Sequence, residues 1–321
     1  MKLSSLAAAL LAASALLTGA AAQDYPSRPI TLVIPYPPGG GNDVMGRSVA
    51  EKMSKTLGQT IVVENRAGAG GSIATRQVAR AAPDGYTLVL GGTGTLAVNP
   101  TLYDNVGYDP RKDFAPVGLI GTGQLILVVN PNVPVKTIPE LIALAKKETG
   151  KLSYASSGIG SGIHLGAVLF EQMAGVKLTH VPYRGTAPAL TDLIGGHVQM
   201  FFSSLPPAVA IAKEGKVRPI AVTGAARSAV FPDLPTVAET LPGYEAVLHY
   251  GIIAPAGTPD AIIRKLSVAL REAVASPDTK MRMAADGTEP LPSTPEEYAA
   301  DIDKEEKKWS AIVRASGAKA Q

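Results

Sequence analysis

The residues that could do chemistry lie in glycine-rich loops rather than in clusters of titratable side chains. The first loop is Pro35-Tyr36-Pro37-Pro38-Gly39-Gly40-Gly41-Asn42-Asp43. It joins a short apolar run to a helical pattern. A helix start presents about four unpaired backbone N–H groups and the positive end of the dipole. Glycines let a ligand approach that backbone closely. A tight turn needs one or two glycines, and three behind two prolines exceed that. The loop reads as an anion cradle, with Tyr36, Gly40, Gly41, Asn42 and Asp43 as candidates and Asn42 or Asp43 as N-cap.

A second loop, Ser156-Ser157-Gly158-Ile159-Gly160-Ser161-Gly162-Ile163-His164, has the same placement. Its candidates are Ser157, Gly160, Ser161 and His164. Two cradles at the carboxyl ends of strands in two lobes would share one cleft, where open α/β sheets take ligands. One carboxylate per cradle would suit a dicarboxylate. Gly92-Thr93-Gly94-Thr95-Leu96-Ala97 matches G-x-G-x-x-A. No acidic residue follows at dinucleotide spacing, so no cofactor is expected and Thr93 is kept only as a cleft residue. The loop Asn65–Ser72 reads equally as a structural turn. Arg184 could pair a carboxylate or be a surface charge.

Catalytic signals are sparse. No G-x-S-x-G or HExxH occurs. The four histidines, His164, His180, His197 and His249, show no metal-ligand spacing. Ser161 and His164 could form the nucleophile and base of an exported hydrolase. Alternatively, His164 bonds a ligand or caps its loop. There is no cysteine, which excludes disulfide scaffolds, thiolate metal sites and cysteine nucleophiles. Thirty basic and 27 acidic residues leave no nucleic-acid footprint.

These loops need elements to position them. The 321 residues are 46% hydrophobic and 18% charged, too apolar for disorder and long enough for two domains. Lys2, the apolar run Leu6–Leu17 and Ala20-Ala21-Ala22 read as a secretory signal cut after Ala22. The run is shorter than the ~20 residues of a membrane span. No cysteine follows to carry a lipid anchor, so a soluble periplasmic protein is expected.

Strands are expected at Ile30–Ile34, Ile61–Val63 and Tyr86–Leu90, as runs buried on both faces. Met45, Val49, Met53 and Leu57 form one helical stripe, stopped at Gly58. A second helix is expected over Ser72–Ala82. A further set follows: a helix opened by a Thr137/Glu140 capping box, strands at 152–155, 178–181, 198–202 and 219–223, and helices at 163–174, 186–194 and 206–213. The last 60 or so residues read as helical. Thr258-Pro259 and Thr294-Pro295 each read as N-cap plus first-turn proline, with Glu297 completing a box. Two long apolar segments, Val117–Asn130 and Val247–Ala254, read as extended crossings between lobes. The expected division is 1–22 signal, 23–122 plus 252–321 as lobe 1, and 123–251 as lobe 2.

Together these residues resemble the Bug family, the substrate-binding proteins of tripartite tricarboxylate transporters. The resemblance rests on Tyr25-Pro26-Ser27-Arg28-Pro29-Ile30, the first cradle, Val63-Glu64-Asn65-Arg66-Ala67-Gly68-Ala69-Gly70-Gly71, Ala82-Pro83-Asp84-Gly85-Tyr86, His180-Val181-Pro182-Tyr183-Arg184-Gly185, Pro235-Thr236-Val237-Ala238-Glu239 and Ala254-Pro255-Ala256-Gly257-Thr258-Pro259. It implies an α/β, two-lobe periplasmic binding protein of type II that closes on its ligand. It implies a small organic acid held by both cradles, delivery to a two-subunit membrane permease, and no catalysis. A monomer is expected. A sensor kinase is an alternative partner. Tyr183 and Arg184 join the candidates through the shared motif. Ser203, where many members carry Asp, also joins. Its lost charge would make that wall friendlier to a second anion. His249 stands where many members carry a bulky aromatic.

Overall fold

The computed structural model describes residues 25–285 and 287–320. The expected signal, 1–22, lies outside them. Among the described residues no helix is long and apolar enough to cross a membrane.

The first half follows the apolar runs. Strand β1 (Ile30–Ile34) pairs in parallel with β2 (Ile61–Asn65) and β3 (Thr87–Gly92). Ile30, Leu32, Val33 and Ile34 are all buried, as a strand covered on both faces requires. Helix α1 (Gly41–Leu57) packs the Met45, Val49, Met53 and Leu57 stripe inward and ends at left-handed Gly58. Helix α2 (Ser72–Ala79) is shorter than expected, because Arg80 already leaves the helical region. A single π-type stretch, Thr93–Val98, then leads into the short α3 (Asn99–Leu102).

Strand β4 (Phe114–Val129) is the longest, at 16 residues. Its first part runs antiparallel to β9 (Val247–Pro255), from Phe114 opposite Pro255 to Gln124 opposite Val247. Its last part changes partners: Leu125 to Val129 pair with β7 (Met200–Ser204) and Ile126 to Val129 with β8 (Arg218–Val222). The two extended segments read from the sequence are therefore neighbouring strands of one ribbon. Strands β5 (Ser153–Ser156), β6 (Thr179–Pro182) and β7 form a second parallel set. The sheet order is β2-β1-β3-β9-β4-β7-β5-β6.

Helices α4 (Ile138–Lys147), α5 (Gly162–Ala174), α6 (Thr186–Gly195) and α7 (Leu205–Lys213) cover the second set. Thr137 caps α4, but the Glu140 carboxylate turns to Lys136 N–H, so that box is half formed. Helices α8 (Asp260–Ala275), α9 (Pro277–Ala285) and α10 (Pro295–Ser316) follow, interrupted by β10 (Thr288–Pro290) against β4. The tail is thus not wholly helical: β10 pairs opposite Gly121–Gly123, and its three residues carry no helical or strand period to read. Pro259, not Thr258, caps α8; the Thr258 hydroxyl turns back to Pro255 O.

The Thr294/Glu297 box is complete, each side chain meeting the other's N–H. Thr294→Ala should cost about 1 kcal/mol of stability. A denaturant titration should show a lower midpoint with an unchanged slope.

Candidate functional site

Strands β1, β3, β5, β6 and β7 all deliver their carboxyl ends to one region. Two adjoining cavities of about 320 and 300 Å³ lie there. They share Tyr36, Asn42, Ser157, Ile163, Leu248 and Tyr250 as walls. These figures include space open to solvent, and the enclosed part of each is far smaller. Four helix starts reach the walls: Gly40, Gly41 and Asn42 from α1, Gly162 and Ile163 from α5, Gly185 and Thr186 from α6, and Ser204 from α7. Gly92, Thr93 and Gly94 add the start of the π-type stretch. No Asp, Glu, Lys or Arg lines either cavity. Donors at helix starts therefore set the local potential.

The halves meet here through bare backbone. A carbon placed on Gly41 would lie 2.9 Å from Tyr250 Oη and 3.1 Å from Ser204 Cβ. One on Gly185, at φ 128°, would lie 2.8 Å from Pro37 Cγ.

Most of the sequence candidates reach the cavities, in different roles. Gly40, Gly41, Asn42, Thr93 and Ser157 line them directly. Tyr36 lines both, with its hydroxyl donating to Gly70 O at 3.0 Å. Thr93 Oγ1 accepts the His249 N–H at 2.9 Å, which ties the wall to β9.

Asp43 does not line either cavity. It accepts from Gly39 N–H, Arg47 Nε and Asn65 Nδ2, at 3.0, 2.9 and 2.9 Å. Burial alone would raise its pKa; those three bonds outweigh it and hold the carboxyl below its ordinary value. Its work is to fold the first loop.

The second loop is braced in a similar way. Ser161 lines the first cavity, but its hydroxyl caps α5 by accepting His164 N–H at 3.2 Å and donates to Gly158 O at 2.8 Å. His164 lies behind the loop. Its Nδ1 accepts Gly160 N–H at 3.4 Å, and its ring stacks on His180 at 4.1 Å. Burial, then the neighbouring His180, pushes its pKa down to about 3. The ring is neutral and makes no bond to Ser161 Oγ, so the nucleophile–base pair is not assembled. Gly160, at φ 81°, packs against Asn99 and Leu102 instead of the cavity.

Tyr183 and Arg184 line an outer vestibule of about 1190 Å³ rather than the inner cavities. The Tyr183 hydroxyl donates to Asp192 at 2.7 Å, and burial and that bond push its pKa up to about 12. Ser203 is buried and donates to Ser204 O. Ser204, one residue on, is the side chain that faces the cavity. Strand alternation makes adjacent residues point to opposite faces, so Ser203 faces away where Ser204 faces the cavity. Thr186, Leu248 and Tyr250 also line the walls; the sequence marked Val247–Ala254 only as a crossing.

A profile of the tripartite tricarboxylate transporter family receptor, TctC, matches residues 45–318. The chain belongs to the TctC family. BugT of Bordetella pertussis is a 38% identical relative over 300 residues, covering 93% of this chain and 92% of BugT. The solved periplasmic binding protein BugD is 38% identical, with a TM-score of 0.88 over 92% of this chain and 100% of that one. The Rpa4515 protein of R. palustris, solved with adipate, is 36% identical with a TM-score of 0.89, over 92% and 99%. The fold is that of the two-lobe periplasmic binding proteins. This TctC member keeps the glycine cradle and departs from the sequence expectation chiefly at Asp43, Gly160, His164 and Ser203.

Asp43 contributes stability that is complete above its unfolded-chain pKa of 3.8 and is lost as pH falls through the lower folded value. Asp43→Asn should lower the melting temperature at pH 7 and flatten the pH dependence below about pH 4, read by melts across pH 2.5–7. Ser161→Ala should cost about 1 kcal/mol by removing the α5 cap. It should weaken ligand binding in calorimetry by loosening the loop.

Proposed function

We propose that this TctC protein is an extracytoplasmic solute-binding protein that captures a small organic acid between two lobes. The observation that carries the reading is the convergence of four helix starts on a cleft with no Asp, Glu, Lys or Arg in its walls. A carboxylate there takes N–H and O–H bonds without a Lys or Arg partner. Charge-assisted bonds contribute about 1.5–3 kcal/mol each. Three or four, less ordering costs, give roughly micromolar affinity. The adipate held by the Rpa4515 relative supports an organic acid as ligand.

The lobes divide at about 122/123 and 251/252, near where β4 exchanges β9 for β7 and β8. Residues 23–122 with 252–321 form one lobe and 123–251 the other. Ligand binding shifts an open–closed balance toward closure. The leader directs export and is cut after Ala22. The loaded protein then docks on a two-subunit membrane permease, as the family's transporter assignment supports. It binds its ligand without altering it, since Ser161 lacks a base.

Gly41→Val should abolish binding, because the added carbons fill the cradle beside Tyr250 and Ser204. Calorimetry with a panel of organic acids tests this. Wild-type affinity in the variant would remove α1 from the site.

A further inference from the structure

The inner cavities carry no Asp, Glu, Lys or Arg in their walls. The vestibule outside them carries one charged side chain among the described residues, Arg184. The vestibule is continuous with the ligand space. Tyr36 and Ser157 line it and both inner cavities, and Pro37 lines it and the second. Arg184 is exposed. Arg66, just beyond β2, is paired with Glu64, and Arg47 on α1 with Asp43. Arg184 forms no ion pair among the described residues, so its charge is open to the solute.

The backbone on either side of Arg184 is anchored. Tyr183 N–H donates to Ser156 O at 3.0 Å, and the Tyr183 hydroxyl donates to Asp192 at 2.7 Å. Gly185, at φ 128°, packs against Pro37 of the first loop, and that backbone region favours glycine. Gly185 is also the N-cap of α6. Gly185 and Thr186 line the second cavity. The unpaired guanidinium therefore stands one residue outside a helix start that belongs to the ligand space, and both carry positive potential.

Resting on the reading of the cleft as an anion site, we infer that Arg184 is the capture residue of its mouth. It draws an anionic solute into the vestibule, presents it to the α6 start, and does not touch it once bound. The role is kinetic. A charge on the rim acts on association and its salt dependence, whereas a buried partner acts on dissociation. At about 8 Å in water one pair of charges is worth about a twofold ratio, so a dianion gains about fivefold and a monoanion about twofold. Salt removes the gain, because the Debye length shrinks from about 30 Å at 0.01 M to about 3 Å at 1 M.

The test uses the mature protein with adipate, the acid solved with the Rpa4515 relative, and with hexanoate, which carries a single charge. Calorimetry gives affinities, and stopped-flow tyrosine fluorescence gives rates, for wild type, Arg184→Gln and Arg184→Lys at about 0.01 M and 1 M salt. Arg184→Gln should slow adipate association about fivefold and hexanoate about twofold at low salt, with dissociation unchanged. At high salt the variant and wild type should agree within about 1.5-fold. Arg184→Lys should keep most of the wild-type rate, and neither exposed substitution should move the melting temperature. Unchanged adipate association and affinity in Arg184→Gln at low salt would overturn the inference. So would a loss that persists at high salt or appears in dissociation, since Arg184 would then hold the bound acid. Failure of both acids to bind wild type would overturn the anion reading of the cleft, and the capture role with it.

Discussion

Backbone N–H groups at the starts of helices have no partner inside their own helix. In this protein four such starts end at the same small space, and no Lys or Arg side chain lines it. The rest of the architecture follows from that requirement. Parallel strands are needed because only they bring successive loops to the same edge. Glycine is needed at position 41 because a side chain there would meet Tyr250 and Ser204. The acidic and hydroxyl groups nearest the loops, Asp43 and Ser161, are spent on holding loop backbone.

The parallel strands, the α1 stripe and the glycine loops were legible because each rests on a local period or on a residue with a strong backbone preference. The complete box at Thr294 was legible for the same reason. What escaped depends on contacts between distant segments. Nothing near Asp43 in sequence shows that Asn65, across a strand, will take up its carboxylate. His164 looked like a ligand donor because it opens a helix, and its stacking on His180 comes from strand pairing of β5 with β6. Ser203 and Ser204 differ by one step of strand alternation, which composition cannot resolve. Strand β10 is three residues long and exists only because β4 leaves an edge for it.

The β4–β9 ribbon does two jobs. Its long strand β4 pairs with β9 over one part and with β7 and β8 over the other, and β9 supplies Leu248 and Tyr250 to the walls. His249 fixes it from behind: the backbone N–H holds Thr93, and the ring meets Asp301 on α10 at 2.8 Å. The C-terminal helix is thereby tied to the cavity's rear wall. The same helix buries Trp309, whose indole donates to Glu305 at 2.9 Å.

A cavity walled by dipoles instead of net charges has a further consequence. Fields from dipoles fade over a few ångströms, whereas those of ions reach a Debye length, about 8 Å at physiological salt. The inner walls of such a pocket add little to long-range steering and lose little to competing electrolyte. Recognition then tolerates the changing ionic strength of an extracytoplasmic fluid, and the shape and bonding of the solute decide what is kept.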